Sequence, residues 1–459
     1  MPTRSPARSR GRNVDEHARR RRDLMRLMGE GSIAVLPAAS EKVRNRTSYY
    51  PFRQDSDFHY LTGFPEPDAI AVLIPGRRAA EYVLFCRSRD PVAEAWHGRR
   101  AGQEGALTLH GADDAFPIED VDEILPGLLE GRERVFYTMG THPEFDQRLL
   151  GWVNELRDQH RRGTHTPQEF VSLEHLLHDM RLYKSPVEVE TMRRAARIGA
   201  RGHRRAMQTC RPGMFEYELE AELGHEFRRH GGTHAYPPIV GGGDNACILH
   251  YRDNSAALVA GELVLIDSGC EHEHYASDIT RTLPVDGRFS PPQRALYGAV
   301  LAAQLAAIAE VRAGNHWDQV HQAAVKTLTA GMVELGLLKG RLSTLVKDAA
   351  YKRWYMHRTG HWLGIDVHDV GDYKVGDEWR LLEPGMVLTV EPGIYVPRGA
   401  KGAPKALQGI GVRIEDDVLV TRGKPEVLSA DAPKEPDAIE ALMAQPSLFG
   451  ANFPSPSAL

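Results

Sequence analysis

Two nine-residue stretches, GELVLIDSG (261–269) and GMVLTVEPG (385–393), align without a gap. Each opens and closes on glycine, carries an apolar run of strand length, and places an acid at the same position, Asp267 in one and Glu391 in the other. The segments upstream echo more faintly, CRPGMFEYELEAELGHEF against VRAGNHWDQVHQAAVKTL. Two related halves, each of helices followed by a strand ending in an acid, predict a domain with an internal pseudo-twofold. The spacing far exceeds the roughly 20–50 residues of a solenoid repeat.

Each strand has an antiparallel partner in the sequence. In LVLIDSGCEHEHYASDITRT the midpoint of Asp267 and Asp278 falls in a polar turn, between His272 and Glu273. A hairpin folded there puts the two aspartates opposite each other, with Cβ atoms about 4.5–5.5 Å apart. Ile266 and Ile279 then face the other side, into apolar packing. In the second half, MVLTVEPGIYVP and GIGVRIEDDVLVT flank a Gly/Lys/Pro-rich loop, and the midpoint of Glu391 and Glu415 is residue 403. Four carboxylates gathered at buried strand ends cannot all ionise without cations. Hard oxygen donors in that number predict two divalent ions, Mn²⁺ first, with Co²⁺, Zn²⁺ or Mg²⁺ as alternatives. MHRTGHWLGIDVHD offers His357, His361 and His368 as imidazole donors.

Other polar clusters have plainer readings. Glu271, His272, Glu273 and His274 sit at a hairpin tip and are expected to form a solvated face. HEFRRH (225–230) is one residue too long for the metalloprotease motif H-E-x-x-H, so its histidines diverge on a helix. GGGDNAC (241–247) lacks the ending of a phosphate loop and is expected to be a flexible turn.

A chain of 459 residues exceeds one ordinary core, so two domains are expected. The texture agrees. From Tyr50 to about Phe85, strand-like runs alternate with Gly and Pro turns, and VDEILPGLLEGRE and VFYTM continue an α/β pattern. The polar stretch 157–170 is the expected linker. Long helices follow, with SPVEVETMRRAARIGARGHRRAM opening on Ser185, Pro186 and Glu188 as a capping box, and SPPQRALYGAVLAAQLAAIAEVRAG repeating that opening and ending at Gly314. The boundaries drawn are a flexible basic tail over 1–14, an α/β domain over 15–178, a pseudo-twofold domain over 179–436 and a loose tail over 437–459. Pro2 and Pro6 are read as spoiling a helix in the basic tail, which has no apolar core of a secretory signal.

A net charge of −5 argues against nucleic acid as the main partner. No apolar run approaches a membrane span. Four scattered cysteines read as reduced thiols in a cytoplasmic protein.

The motifs ILHY, IDSGCEHEHYASDITRT, HRTGHWLGIDVHDVG, LTVEPGIY and GVRIEDD resemble the metallopeptidases of the pita-bread fold, over roughly residues 45–430. Within that family the chain is most similar to the Xaa-Pro aminopeptidases (the aminopeptidase P group). PFRQDSDFHYLTGFPEPDA and AEAWHGRRAGQ look like their creatinase-type first domain. The resemblance implies an α/β (α+β) chain, a creatinase/prolidase-like domain followed by a pita-bread catalytic domain. It implies that Asp267 chelates one metal and His361 the other, that Asp278 and Glu415 bridge the pair, and that Glu391 holds the second ion and relays a proton. A metal-activated bridging hydroxide would cut the N-terminal Xaa-Pro bond of peptides. His250 and His368 match catalytic positions, and His357, Tyr395 and Arg413 match positions that shape the substrate pocket. Ser268 stands where the family usually has alanine, and His272 and His274 replace commoner turn residues. The family's habit of assembling through the first domain implies a homodimer or homotetramer.

Prolidase, which cuts only Xaa-Pro dipeptides, has the same fold and metals; the first domain favours the aminopeptidase. A non-catalytic pita-bread binding module is disfavoured because all five ligands are present.

Overall fold

The computed structural model describes residues 6–159 and 163–445. The chain divides between Met180 and Arg181 into two compact units, two residues from the boundary drawn at 178/179.

The first unit is built on a six-stranded mixed sheet in the order Asp114–Pro117, Tyr82–Cys86, Ile70–Leu73, Ser32–Pro37, Arg134–Phe136, Glu169–Val171. Ile33, Val35, Val72, Val83 and Phe85 pack there against Leu125 and Leu149 of the covering helices. The sheet corrects two expectations. Its edge strand Glu169–Val171 and the helix Pro143–Asp158 take up both ends of the stretch 157–170, which belongs to this unit and is no linker; residues 160–162 lie outside the described residues. A helix also runs from Pro6 to Met28, through most of the stretch read as a flexible tail. Pro6 occupies its first position, where the missing N–H would have had no helical partner anyway.

The second unit has the expected doubling. Helix Pro186–Thr209 opens with the Ser185–Glu188 capping box and packs against Glu216–Arg229. Pro291–Ala309 opens with Ser290 and Gln293 in the same arrangement and packs against Trp317–Glu334. Each second helix follows a turn whose glycine is left-handed, Gly213 at φ +88° and Gly314 at φ +90°. The helix expected to run to Gly314 therefore ends earlier, at Ala309. The tail drawn from residue 437 also begins as structure. Helix Pro436–Met443 buries Ile439, Leu442 and Met443 in the cluster that holds Leu296 and Tyr297; residues 446–459 lie outside the described residues.

The strands deliver the acids. In the second half Val387–Val390 pairs with Asp416–Leu419, and Gly393–Val396 with Ile410–Arg413, in one register. Val390 lies opposite Asp416 and Gly393 opposite Arg413, so Glu391 and Glu415 fall opposite each other between the two ladders, as the midpoint at 403 predicts. In the first half the register is two residues off. Leu263–Asp267 pairs with Thr280–Pro284 so that Asp267 faces Thr280, and Asp278 is its diagonal neighbour. A shift of two keeps the side chains on the same face, and Ile266 and Ile279 are fully buried on the other. The cause is the turn: His272 faces Tyr275 across a two-residue connection, with Glu273 and His274 both at positive φ. The two hairpins meet along their inner strands, where Glu415 N–H donates to the Thr280 carbonyl at 3.1 Å and Thr282 Oγ1 to that of Arg413 at 3.0 Å.

GGGDNAC is not a flexible turn. Ile239–Gly242 is a strand beside Leu263–Asp267, and Gly243–Cys247 a 3₁₀ turn packed on Ile410–Arg413. A Cβ on Gly241 would lie 2.9 Å from the backbone carbon of Asn245, so this turn admits no side chain there.

Candidate metal centre

Where the two hairpins meet, Asp267, Asp278, Glu391, Glu415, His361, His250, His357, His368 and Arg413 line one cavity of about 700 Å³. His361 comes from a segment pinned beside Val387–Val390: its N–H donates to Thr389 Oγ1, and the Thr389 N–H to its carbonyl. Its Nδ1 lies 2.9 Å from the Trp362 carbonyl, which fixes that nitrogen as the donor and turns Nε2 to the acids. Nε2 is 3.4 Å from Asp278 and 3.8 Å from Glu391. Ligand atoms of Asp278, His361 and Glu415 lie within 4.8 Å of one another.

The remaining contacts orient these groups. Thr280 Oγ1 donates to Glu415 at 2.6 Å, and the Asp278 N–H to Asp417 at 3.0 Å. Arg413 Nη2 holds Asp267 at 2.7 Å. The same guanidinium donates to the Tyr395 hydroxyl at 3.0 Å, which lies 2.8 Å from His357 Nε2, while His357 Nδ1 faces the Arg358 carbonyl. The residues expected to shape the pocket thus form one chain of hydrogen bonds. Tyr395 is buried behind it and reaches the cavity only through His357 and Arg413, so it does not itself line the pocket. His368 stacks edge-on against His361 at 4.2 Å. Its loop is clamped by Asp369, which is buried between Arg181 at 2.6 Å and Lys184 at 2.8 Å.

The electrostatics show a site short of positive charge. Burial raises the pKa of Asp267, against Arg413, and pushes Glu415 well up, with Asp278 adding repulsion. Burial likewise raises Glu391 to about 7, although His361 and Arg413 oppose it. Burial would lower His361, but its bond and attraction to Asp278 lift it to about 9. Burial and the Arg413 charge lower His357 to about 3, leaving it neutral at physiological pH. The Tyr236 hydroxyl lies 2.6 Å from Asp267 and 2.5 Å from Asp278, with one proton for two carboxylates. Carboxylate oxygens and one imidazole nitrogen, buried together with too few cations, fit divalent metal ions.

Sequence reasoning missed Tyr236, Asp417, Thr280 and Arg281. The last three lie inside the quoted motifs, but no spacing rule separates them from their neighbours. Tyr236 is in a connecting segment with no periodicity to mark it. The tip residues differ from expectation too. Glu273 is exposed, but His272 is buried, because the strand Cys270–His272 that carries it is flanked by Tyr275–Ala276 and covered by helix Pro186–Thr209.

The family model for metallopeptidase family M24 matches residues 190–422, the unit that carries this cavity, and the model for the aminopeptidase P N-terminal domain matches residues 17–137. The chain belongs to metallopeptidase family M24, among its aminopeptidase P members. It is 45% identical over 430 residues to the Xaa-Pro aminopeptidase of Escherichia coli, covering 93% of this chain and 97% of that one. Its fold matches the structure of the Pseudomonas aeruginosa aminopeptidase PepP with a TM-score of 0.93 at 59% identity, over 94% of this chain and 98% of the other. Zinc-substituted E. coli aminopeptidase P in complex with product matches at a TM-score of 0.91 and 45% identity, over 94% and 98% of the chains. The pita-bread and creatinase-type resemblances in the sequence agree with these matches.

Proposed function

We propose that this chain is a two-metal aminopeptidase that removes the N-terminal residue from peptides with proline in second place. The observation that carries it is the convergence of four acids, Asp278 and Glu415 among them buried, and His361 in one cavity, in a chain of the aminopeptidase P group. Asp267, Asp278, Glu391, Glu415 and His361 would hold the ions, with Asp278 and Glu415 between them. Bound divalent ions would supply a water acidic enough to be a nucleophile near neutral pH, and stabilise charge on the scissile carbonyl.

The protein groups do the rest. Glu391 lines the cavity beside the other acids, where it is placed to take a proton and pass it on. Burial and then His361 lower the His368 pKa, and His250 lines the same cavity. His357, held neutral by burial and the Arg413 charge, offers an imidazole face for a proline ring in a cavity that Leu249, Val367 and Tyr373 also line. An Xaa-Pro bond has no N–H to hydrogen-bond, so a wall of this kind serves where an N–H acceptor would not.

Mn²⁺ is the metal we infer, from the oxygen-rich donor set, with Co²⁺ or Zn²⁺ as substitutes. We further infer a homodimer or homotetramer, supported by the exposed Val92 and Trp96 on one short helix of the first unit, Trp96 at 81%. A cytoplasmic setting is supported by four free cysteines. Among the described residues no helix is long and apolar enough to cross a membrane.

The test loads metal-stripped protein with Mn²⁺ and offers Ala-Pro, Ala-Pro-Ala and Ala-Ala-Ala. Alanine released from the proline tripeptide and not from the control supports the proposal. Cleavage of the dipeptide alone would overturn it in favour of a prolidase.

A further inference from the structure

A second cavity, of about 860 Å³, opens beside the metal centre and takes no part in the chemistry above. Its apolar wall comes from Val325 on helix Trp317–Glu334, Val346 on helix Leu342–Lys347, and Tyr351 and Tyr355 on the turn that follows. Two observations identify its occupant. The first is continuity. His357 and Arg358 line both this cavity and the carboxylate cavity, so a single pair of consecutive residues separates the two.

The second is charge. Asp318, the acid of the lining, is already held by Arg358 at 2.6 Å and Gln322 at 2.7 Å. Lys326 and Lys352 are exposed at the cavity and make no ion pair among the described residues. The lining therefore carries two uncompensated positive charges beside an apolar wall. A volume of 860 Å³ equals a sphere about 12 Å across, room for roughly three extended residues at about 3.4 Å each.

We propose that this cavity receives the downstream part of longer peptide substrates, with an apolar side chain against Val325, Val346, Tyr351 and Tyr355 and an acidic residue or C-terminal carboxylate near Lys326 and Lys352. It is a specificity site for peptide length and tail charge, and it rests on the aminopeptidase reading. A tripeptide leaves most of it empty. An acidic-tailed peptide gains from it, and a basic-tailed one is repelled.

The test measures kcat/KM of the Mn²⁺-loaded full chain on Ala-Pro-Ala, Ala-Pro-Ala-Ala-Leu-Glu-Glu and Ala-Pro-Ala-Ala-Leu-Lys-Lys. The wild type should prefer the acidic over the basic heptapeptide by about tenfold, the worth of two exposed charge pairs. The double variant Lys326→Glu/Lys352→Glu should invert that preference and leave the tripeptide unchanged. Ser343→Trp, at an exposed position on the lining, should slow both heptapeptides relative to the tripeptide. Equal rates for the two heptapeptides in the wild type, or a preference that survives charge reversal, would overturn the proposal while leaving the aminopeptidase reading intact. A wild type inert on all three peptides would overturn both.

Discussion

Arg281 is fully buried behind the metal centre, and replacing it with methionine tests how the centre is held. Its guanidinium donates to the carbonyls of Thr280 at 2.9 Å, Glu415 at 2.5 Å, Ala432 at 2.9 Å and Pro433 at 3.0 Å, and to the Asp416 carboxylate at 2.7 Å. Methionine keeps the volume of the stem and removes all five donations. Burial alone would raise the Asp416 pKa, yet Arg281 and Lys434 hold it well below the usual carboxylate range. Breaking a buried pair from one side costs about 3–5 kcal/mol. Asp416 would keep Lys434, Gln304 and Ser429, each at 2.7 Å, so the low end, about 3 kcal/mol, is expected. That corresponds to roughly 150-fold faster native-state hydrogen exchange at the slowest amides of strands Leu263–Asp267 and Thr280–Pro284. In an Asp416→Asn background part of the penalty should vanish, because the carboxylate's share is gone while the four carbonyls still lose their donor. Acceleration below about tenfold, or an equal loss in both backgrounds, would refute the account.

Glu415→Gln should leave far-UV circular dichroism unchanged, reduce bound metal from two ions to one or fewer by elemental analysis, and abolish turnover; two bound ions with normal turnover would remove Glu415 from the bridge. Metal-stripped protein should lose thermal stability steadily between about pH 4.5 and 9. His361, raised from 6.5 to about 9, contributes stability that is complete below about 6.5 and gone above about 9. Glu391, raised from 4.5 to about 7, adds a penalty of the same sign as it is forced to ionise. Saturating Mn²⁺ should flatten the profile; a melting temperature that rises with pH in the stripped protein would contradict both shifts.

The second hairpin was legible because its loop is long and its strands carry glycine and proline punctuation, so the opposed pair Glu391–Glu415 follows from the midpoint alone. The first hairpin was misread by two residues for a physical reason. Its tight turn is Glu273–His274, both at positive φ, where Asn-Gly or Gly-Gly would ordinarily announce such a turn. The midpoint rule sets each aspartate opposite the other, and it keeps the correct face because side chains alternate with period two. The buried partners of the acids were not legible, since Tyr236, Thr280 and Asp417 are placed by tertiary packing and by no local pattern. The helical tail ends were missed because a proline that is fatal inside a helix is harmless at its first position.

The stagger in the first hairpin has a consequence for how the centre fills. A perfect twofold would give two equivalent berths. Here one pair of acids sits level across its ladder, and the other is offset along it by two residues. Arg413 leans on the Asp267 end, while the imidazole of His361 serves the Asp278 and Glu391 end. At the first end the carboxylate is already shared with a guanidinium; at the other, two acids lie beside a nitrogen donor. If the cavity takes two ions as proposed, the offset makes their surroundings unequal, and they should load in order.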